Sequence, residues 1–260
     1  MLLSDKYRIT RVITKSTYST LYEGEHIYKK HKVAIKLECE ETCKKLLENE
    51  INMYLYLKRH SKINIPNIKH IGIYNEYKYI VMELLDINLK QYIDNGVSKY
   101  KFLLLVDQLF VLIQQFHHRG LVHRDIKPEN FIFNKKEDLC IIDLGISTFK
   151  SNREIKQFIG NKRYASYTCH LDTYIYKETD DIISIFYMLF DLYTKILPWD
   201  NKYINYIIKK NVNFEEFYKS NNNYDPIIDM LIYCYNHIYD SDFYNVVCNE
   251  LRCTIYDYHP

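Results

Sequence analysis

The sequence predicts an α+β chain of two lobes: a small N-terminal antiparallel β lobe with one helix, about residues 1–85, and a larger, mainly helical C-terminal lobe, about 86–260. Three observations predict it. Short runs rich in β-branched and aromatic residues crowd the first third. Helical periodicity takes over near residue 86. No linker or internal repeat intervenes, so the lobes are expected to form one domain, 1–260, with any cleft between them.

The elements follow in order. "YRITRVI", "TLYEGEHI" and "HKVAIKLEC" read as strands separated by polar turns. The spacing then predicts a helix over 42–58, with Leu46, Leu47, Glu50, Met53, Tyr54 and Leu57 on one face. Pro66 rules out helix across the next segment. Strands are expected over 68–74 and 77–85, joined at Asn75–Glu76. Beyond them, helices are predicted over 88–94, 99–119, 179–194, 200–210 and 225–237. The one at 99–119 is apolar around much of its circumference, which marks a core helix, and Gly120 ends it. Two short strands, "NFIFN" and "LCIID", follow that helix.

Composition narrows the function classes. Hydrophobic residues make up 47% and charged residues 26%, as in a globular chain. A net charge of +2 offers no clustered basic face, so no nucleic-acid partner is expected. The seven cysteines (Cys39, Cys43, Cys140, Cys169, Cys234, Cys248 and Cys253) are odd in number and form no CxxC pair. Free thiols in a reducing compartment are the simpler reading than a zinc site. The N-terminus "MLLSDKYR" carries no apolar run of signal-peptide length. "FLLLVDQLFVLI" and "IISIFYMLFDLY" fall short of the roughly 20 apolar residues a bilayer span needs. The expectation is an intracellular monomer, cytoplasmic or nuclear, with no membrane partner.

The chemistry-bearing stretches are "VAIK" at 33–36, "HRDIKPENF" at 123–131 and "IIDLG" at 141–145. In order and approximate spacing they resemble the protein kinase catalytic set, each in its context of strand, loop after a core helix, and strand end. The resemblance implies ATP and Mg2+ as cofactors. Phosphoryl transfer needs charge neutralisation and in-line placement more than covalent help. Lys36 would ground the α- and β-phosphates, fixed by Glu50 from the predicted helix. Asp143 would bind one magnesium ion and Asn130 a second, as oxygen ligands for a hard cation. Asp125 would orient or accept the proton of the substrate hydroxyl. Lys127 would reach the transferred phosphoryl group, a position that resembles serine/threonine kinases. His123 reads as a core histidine under the site.

A finer likeness lies in "GNKRYAS" at 160–166, followed by His170, "TDDIISIFY" and "LPW". This resembles the casein kinase 1 family over about residues 7–210, more than the vaccinia-related kinases. It implies protein substrates in acidic or already phosphorylated contexts, read by an anion site at Arg163 and, counting without gaps, Lys210. The implied nucleotide site comprises Ile13, Thr14, Lys15, Ser16, Thr17, Tyr18, Ser19, Thr20 and Leu21, then Ala34 and Lys36, Met82, Glu83 and Leu85 at the hinge, and Ile132.

Four departures stand against the pattern. In "VITKSTYSTLYEG", 12–24, a strand should enter at Val12 and leave at Leu21, yet Thr14, Ser16 and Ser19 replace the family's glycines. If those positions needed left-handed backbone, each would cost about 1 kcal/mol. Leu144 replaces the usual Phe, and Phe186 stands where the family has glycine on its central helix, with Asp181 still present to tie the catalytic loop. The activation segment, Asp143 to about Ser166, is short, and Ser147, Thr148 and Ser151 lie in it. The missing glycines leave a second reading open: a pseudokinase-type scaffold that binds nucleotide weakly and does not turn over.

Overall fold

The computed structural model describes residues 1–39, 45–60, 62–151, 160–171 and 174–259. Within it the chain forms two compact units. One comprises Met1–Ile87 and Ile132–Ser147; the other comprises Asn88–Phe131 and Thr148–Pro260.

The first unit is built on an antiparallel sheet. Its strands are β1 (Leu2–Leu3), β2 (Tyr7–Lys15), β3 (Ser19–His26), β4 (Lys32–Cys39), β5 (Ile68–Tyr74) and β6 (Tyr77–Glu83), in spatial order β1-β2-β3-β4-β6-β5. Alternation puts Leu3, Tyr7, Val33, Ile35, Leu37, Tyr79 and Val81 into one apolar cluster, with Ile9 and Tyr22 against it. Asn75 takes φ 53° in the two-residue β5–β6 turn, a conformation Asn tolerates better than most residues. Helix α1 (Leu46–His60) buries Leu47, Glu50, Ile51, Met53, Tyr54 and Leu57. The expected start of this helix at 42–44, with Cys43, lies outside the described residues. Strands β8 (Phe131–Phe133) and β9 (Leu139–Ile141) pair, and a 3-10 turn covers Leu144–Ile146.

The second unit is mainly helical: α2 (Leu89–Asp94), α3 (Lys99–His118), α4 (Glu178–Thr194), α5 (Tyr206–Lys210), α6 (Phe214–Ser220), α7 (Pro226–Asn236) and α8 (Phe243–Tyr258). It also holds the small pair β7 (Leu121–Val122) and β10 (Thr148–Phe149). Ser98 caps α3, accepting from the Lys101 N–H. After the helix, Gly120 takes φ 72° and donates its N–H to the His117 carbonyl. Phe186 on α4 is fully buried among Phe110, Tyr235 and Phe243, so the aromatic ring fills space that a glycine would leave to its neighbours.

Two helix expectations need correction. The segment 200–210 is helical only over Tyr206–Lys210, because Asn205 caps there and accepts from the Ile208 N–H. Upstream, Asn201 sits at φ 62°, which breaks any helix. No element was expected beyond residue 237, yet α8 forms, burying Phe243, Val247, Leu251 and Thr254 at three- and four-residue spacing. Among the described residues no helix is long and apolar enough to cross a membrane.

Candidate active site

In the first unit, the β4 strand holds Lys36 and α1 holds Glu50. The Lys36 ammonium donates to Glu50 Oε2 at 2.6 Å and to Asp143 Oδ1 at 2.8 Å. Glu50 is almost fully buried, whereas the Asp143 side chain is 39% exposed. Burial alone would lower the Lys36 pKa, but the Glu50 and then the Asp143 carboxylate outweigh it and hold the ammonium above its usual range. One cation thus faces two carboxylates. Asp143 adopts φ 59°, ψ 59°, left-handed backbone that turns its side chain out of the β9 end.

Two residues that motif reading missed hold this triad. Tyr54 lies one turn beyond Glu50 on α1 and is fully buried. Its hydroxyl bonds the Glu50 carboxylate and accepts the Asp143 backbone N–H at 3.2 Å. Asn49 donates its amide to the carbonyls of Leu144, Gly145 and Ser147, locking the "DLG" segment to α1. The i, i+4 spacing of Glu50 and Tyr54 was visible on the predicted helix face, and signalled only core. Tyr54→Phe leaves a buried N–H without its partner, which costs about 1–3 kcal/mol. The expected outcome is a fall of several degrees in Tm together with a lowered kcat, checked by thermal melts and initial rates. An unchanged melt would remove the hydroxyl's structural role.

The glycine-free loop is a tight hairpin. Strand β2 runs on to Lys15 and β3 resumes at Ser19, pairing Thr14 with Leu21 and Lys15 with Thr20. The expected loop between Val12 and Leu21 is therefore corrected to a turn of Ser16, Thr17 and Tyr18. Ile13, Thr14 and Lys15 lie in β2, with a register shift between Val12 and Thr14, and Ser19, Thr20 and Leu21 lie in β3. None of residues 12–24 has a positive φ, so the left-handed strain considered for Thr14, Ser16 and Ser19 does not arise. Instead Ser16 closes the turn. Its N–H donates to the Ser19 carbonyl at 2.9 Å, and its Oγ accepts the Ser19 N–H at 3.0 Å and, more weakly, that of Tyr18. Gly24 is kept for a different reason: a Cβ there would lie 2.5 Å from Ile35 Cδ1 and 2.8 Å from the Arg8 carbonyl.

The remaining implied nucleotide residues also fall in the first unit. Ala34 and Met82 are directly paired across β4 and β6, and both are buried. Glu83 ends β6, donating its N–H to the Asn67 carbonyl. Leu85 follows, and the adjoining stretch bonds to β8 through Asp86 N–H to Phe133 O and Phe133 N–H to Ile87 O. That pairing brings Ile132 of β8 beside the 85–87 segment.

In the second unit, Asp125 gathers its own set. Its carboxylate accepts from the Lys127 ammonium, from Asn130 Nδ2 at 3.1 Å and from the Asn161 backbone N–H at 3.1 Å. Asn130 Nδ2 also donates to the Asp125 carbonyl at 2.8 Å. With its nitrogen so used, the amide offers its oxygen as the end suited to a cation. His123 is fully buried and accepts the Asp125 N–H, in keeping with a structural histidine. Asp181 on α4 takes the backbone N–H groups of His123 and Arg124 at 2.7 and 3.0 Å. His117 and Tyr176 complete its coordination. These hydrogen bonds hold the Asp181 carboxyl below the usual range, although burial works against them.

The expected anion site looks different. Arg163 lies between Asp191 and Asp200, bonded to both carboxylates, so its charge is offset within the fold. Lys210 is exposed, its ammonium 5.0 Å from the centre of the Tyr206 ring. Among the described residues no hydrogen bond or ion pair joins Arg163 to Lys210. The neighbour of Lys210 on α5, Lys209, is the buried one. Burial pushes the His170 imidazole down to about 4, with the Lys209 and Lys162 charges adding to it.

Hard oxygen ligands are what this chain offers a divalent cation: the Asp143 carboxylate in the first unit and the Asn130 amide oxygen in the second. Among the described residues no group of three or more His, Cys, Asp or Glu converges on a metal cage. One or two oxygens plus nucleotide phosphates suit Mg2+, which keeps much of its water and rarely needs such a cage. Residues 7–242 match the family model described as the protein kinase domain.

Proposed function

The chain belongs to the protein kinase domain family, and from that premise we propose that it transfers the γ-phosphoryl group of ATP to serine and threonine hydroxyls of proteins, in the manner of casein kinase 1. The observation that carries this reading is the Lys36 ammonium bonded at once to Glu50 and Asp143. A lysine so fixed presents its charge to phosphate oxygens without swinging, which is where this reaction gains most. Asp125 then holds the acceptor hydroxyl and takes its proton, and Lys127 neutralises charge on the transferred group. Asp143 in the first unit and Asn130 in the second are the oxygen groups that would hold Mg2+, which when bound would shield the phosphates' negative charge. Lys127 and the "GNKRYAS" stretch support the serine/threonine and casein kinase 1 assignments.

The preference for acidic or phosphorylated surroundings rests on the exposed Lys162 and Lys210, because Arg163 is already neutralised by two aspartates. The test is transfer of labelled phosphate to a peptide library that compares primed, acidic and neutral serines and threonines. The expected result is transfer to serine and threonine with KM lowest for the acidic and primed peptides. Equal KM values would sink the preference and leave the kinase. Absence of transfer to any peptide, with an ATP-induced rise in Tm, would favour the pseudokinase reading instead.

The hairpin gives a sharper expectation. Ser16 Oγ occupies the Ser19 and Tyr18 N–H groups that a phosphate would otherwise receive. Ser16→Gly should therefore lower the KM for ATP, whereas Thr14→Gly, in the β2–β3 ladder, should not. Steady-state kinetics with varied ATP checks the pair, and a Thr14 variant with the larger gain would contradict this account of the loop.

A further inference from the structure

Lys209 on α5 has no part in the reaction described so far, yet it is a fully buried lysine with no carboxylate partner among the described residues. Its ammonium donates to three backbone carbonyls, those of Lys162 at 2.8 Å, Arg163 at 3.0 Å and Ala165 at 2.5 Å. The faces of Trp199 and Tyr187 lie 4.8 and 5.2 Å from it. Trp199 adds its own N–H to the Arg163 carbonyl at 3.0 Å. Three N–H donors thus meet three converging acceptors, and two aromatic faces take the remaining positive field.

The strand of chain so held is short and leads to the reaction. One residue before Lys162, Asn161 donates its backbone N–H to Asp125 Oδ1. Its side-chain oxygen accepts the Arg163 N–H at 2.8 Å, which stiffens the turn between the two anchor points. The geometry points to Lys209 as a positioning residue: it fixes segment 161–165 by its backbone carbonyls, and the Asn161 N–H at the end of that segment fixes the rotamer of the Asp125 carboxylate. This rests on the reading of Asp125 as the group that holds the acceptor hydroxyl. It extends that reading to a residue on α5, which acts on Asp125 through segment 161–165. A lysine serves here because an ammonium directs three donors from one nitrogen. The planar fork of arginine spreads its donors over separate nitrogens and matches two-pronged partners instead.

Burial pushes the Lys209 ammonium down to about 7, against the influence of Cys169 and with that of Arg163. Assays are therefore run below pH 7, where the third donor is retained. Lys209→Met keeps the length of the side chain and removes all three donors. The expected result is a folded protein whose kcat on peptide falls at least tenfold, whose KM for ATP is unchanged, and whose Asn161 amide exchanges with deuterium faster than in the wild type. Lys209→Arg, which keeps the charge but spreads the donors, should fall between the two in both readouts. Wild-type kcat together with wild-type exchange in folded Lys209→Met overturns the proposal.

Amide exchange does not depend on turnover, so it separates this inference from the kinase reading. Loss of activity in Asp125→Asn tests that reading alone, and faster exchange at Asn161 tests the strut alone. Should Lys209→Met not fold, the wild-type protein and Lys209→Arg still decide. An Asn161 amide that exchanges as a free amide in the wild type, or one equally protected in Lys209→Arg, counts against the strut. Protection in the wild type that is reduced in Lys209→Arg supports it.

Discussion

Asp125→Asn is expected to reduce kcat by roughly 10²–10⁴-fold, the span over which a positioned acid–base group contributes. The substitution keeps the shape of the side chain. Its oxygen can still accept the Asn161 N–H, so the local fold should survive with little change in Tm. What is lost is the negative charge that the Lys127 ammonium faces and the basic oxygen that would take the hydroxyl proton. The nucleotide side should be untouched, because Lys36 bonds Glu50 and Asp143 within the first unit, whereas Asp125 belongs to the second. Phosphate transfer at saturating peptide, alongside the ATP-induced shift in Tm, measures both halves of the expectation. A variant that turned over at the wild-type rate would remove Asp125 from the chemistry, and one that lost its ATP response would show that the two sets are not separable.

The chain carries a protein kinase domain, and its candidate site is largely legible as sequence, because phosphoryl transfer demands charged groups at fixed places in short motifs. Lys36, Glu50, Asp125, Asn130 and Asp143 each stand in a local pattern, and ridges of apolar residues placed them on strand, helix and loop. The supports were not legible. Tyr54 reads as one more apolar-face residue, and only the fold shows its hydroxyl reaching across to the Asp143 N–H. Lys209 and Lys210 are adjacent lysines in the sequence, and counting without gaps chose Lys210. Helix rotation decides which of them is buried, and that rotation is set by where Asn205 caps α5. Arg163 is placed at an anion site by the resemblance to the casein kinase 1 family, with two-pronged bonding to phosphate as the supporting chemistry. Asp191 and Asp200 lie 28 and 37 residues away and claim it first. The hairpin at Ser16 differs in another way: the sequence leaves open whether its positions need left-handed backbone, and this chain reaches a turn with ordinary φ by using a serine hydroxyl to bond its backbone.

Lys36→Met should slow transfer for a reason distinct from Asp125→Asn, and a double variant exposes that reason. Removing a single electrostatic donor from a preorganised site costs roughly 10²–10³-fold in kcat, and here the KM for ATP should rise as well, since Lys36 acts on the nucleotide. The same change leaves Glu50 buried without its cation. Breaking one partner of a buried pair costs about 3–5 kcal/mol. The partial exposure of Asp143 and the capacity of Glu50 to take up a proton reduce that figure. Lys36→Met should consequently melt several degrees below the wild type. Adding Glu50→Gln removes the orphaned carboxylate and leaves an amide that Tyr54 can still bond, so Tm should recover in the double variant while transfer stays as slow as in Lys36→Met. A double variant less stable than Lys36→Met alone would mean that Glu50 has partners beyond Lys36 and Tyr54. Transfer at the wild-type rate by Lys36→Met would place phosphate grounding on some other cation of the β lobe, with Lys15 at the hairpin the first to test.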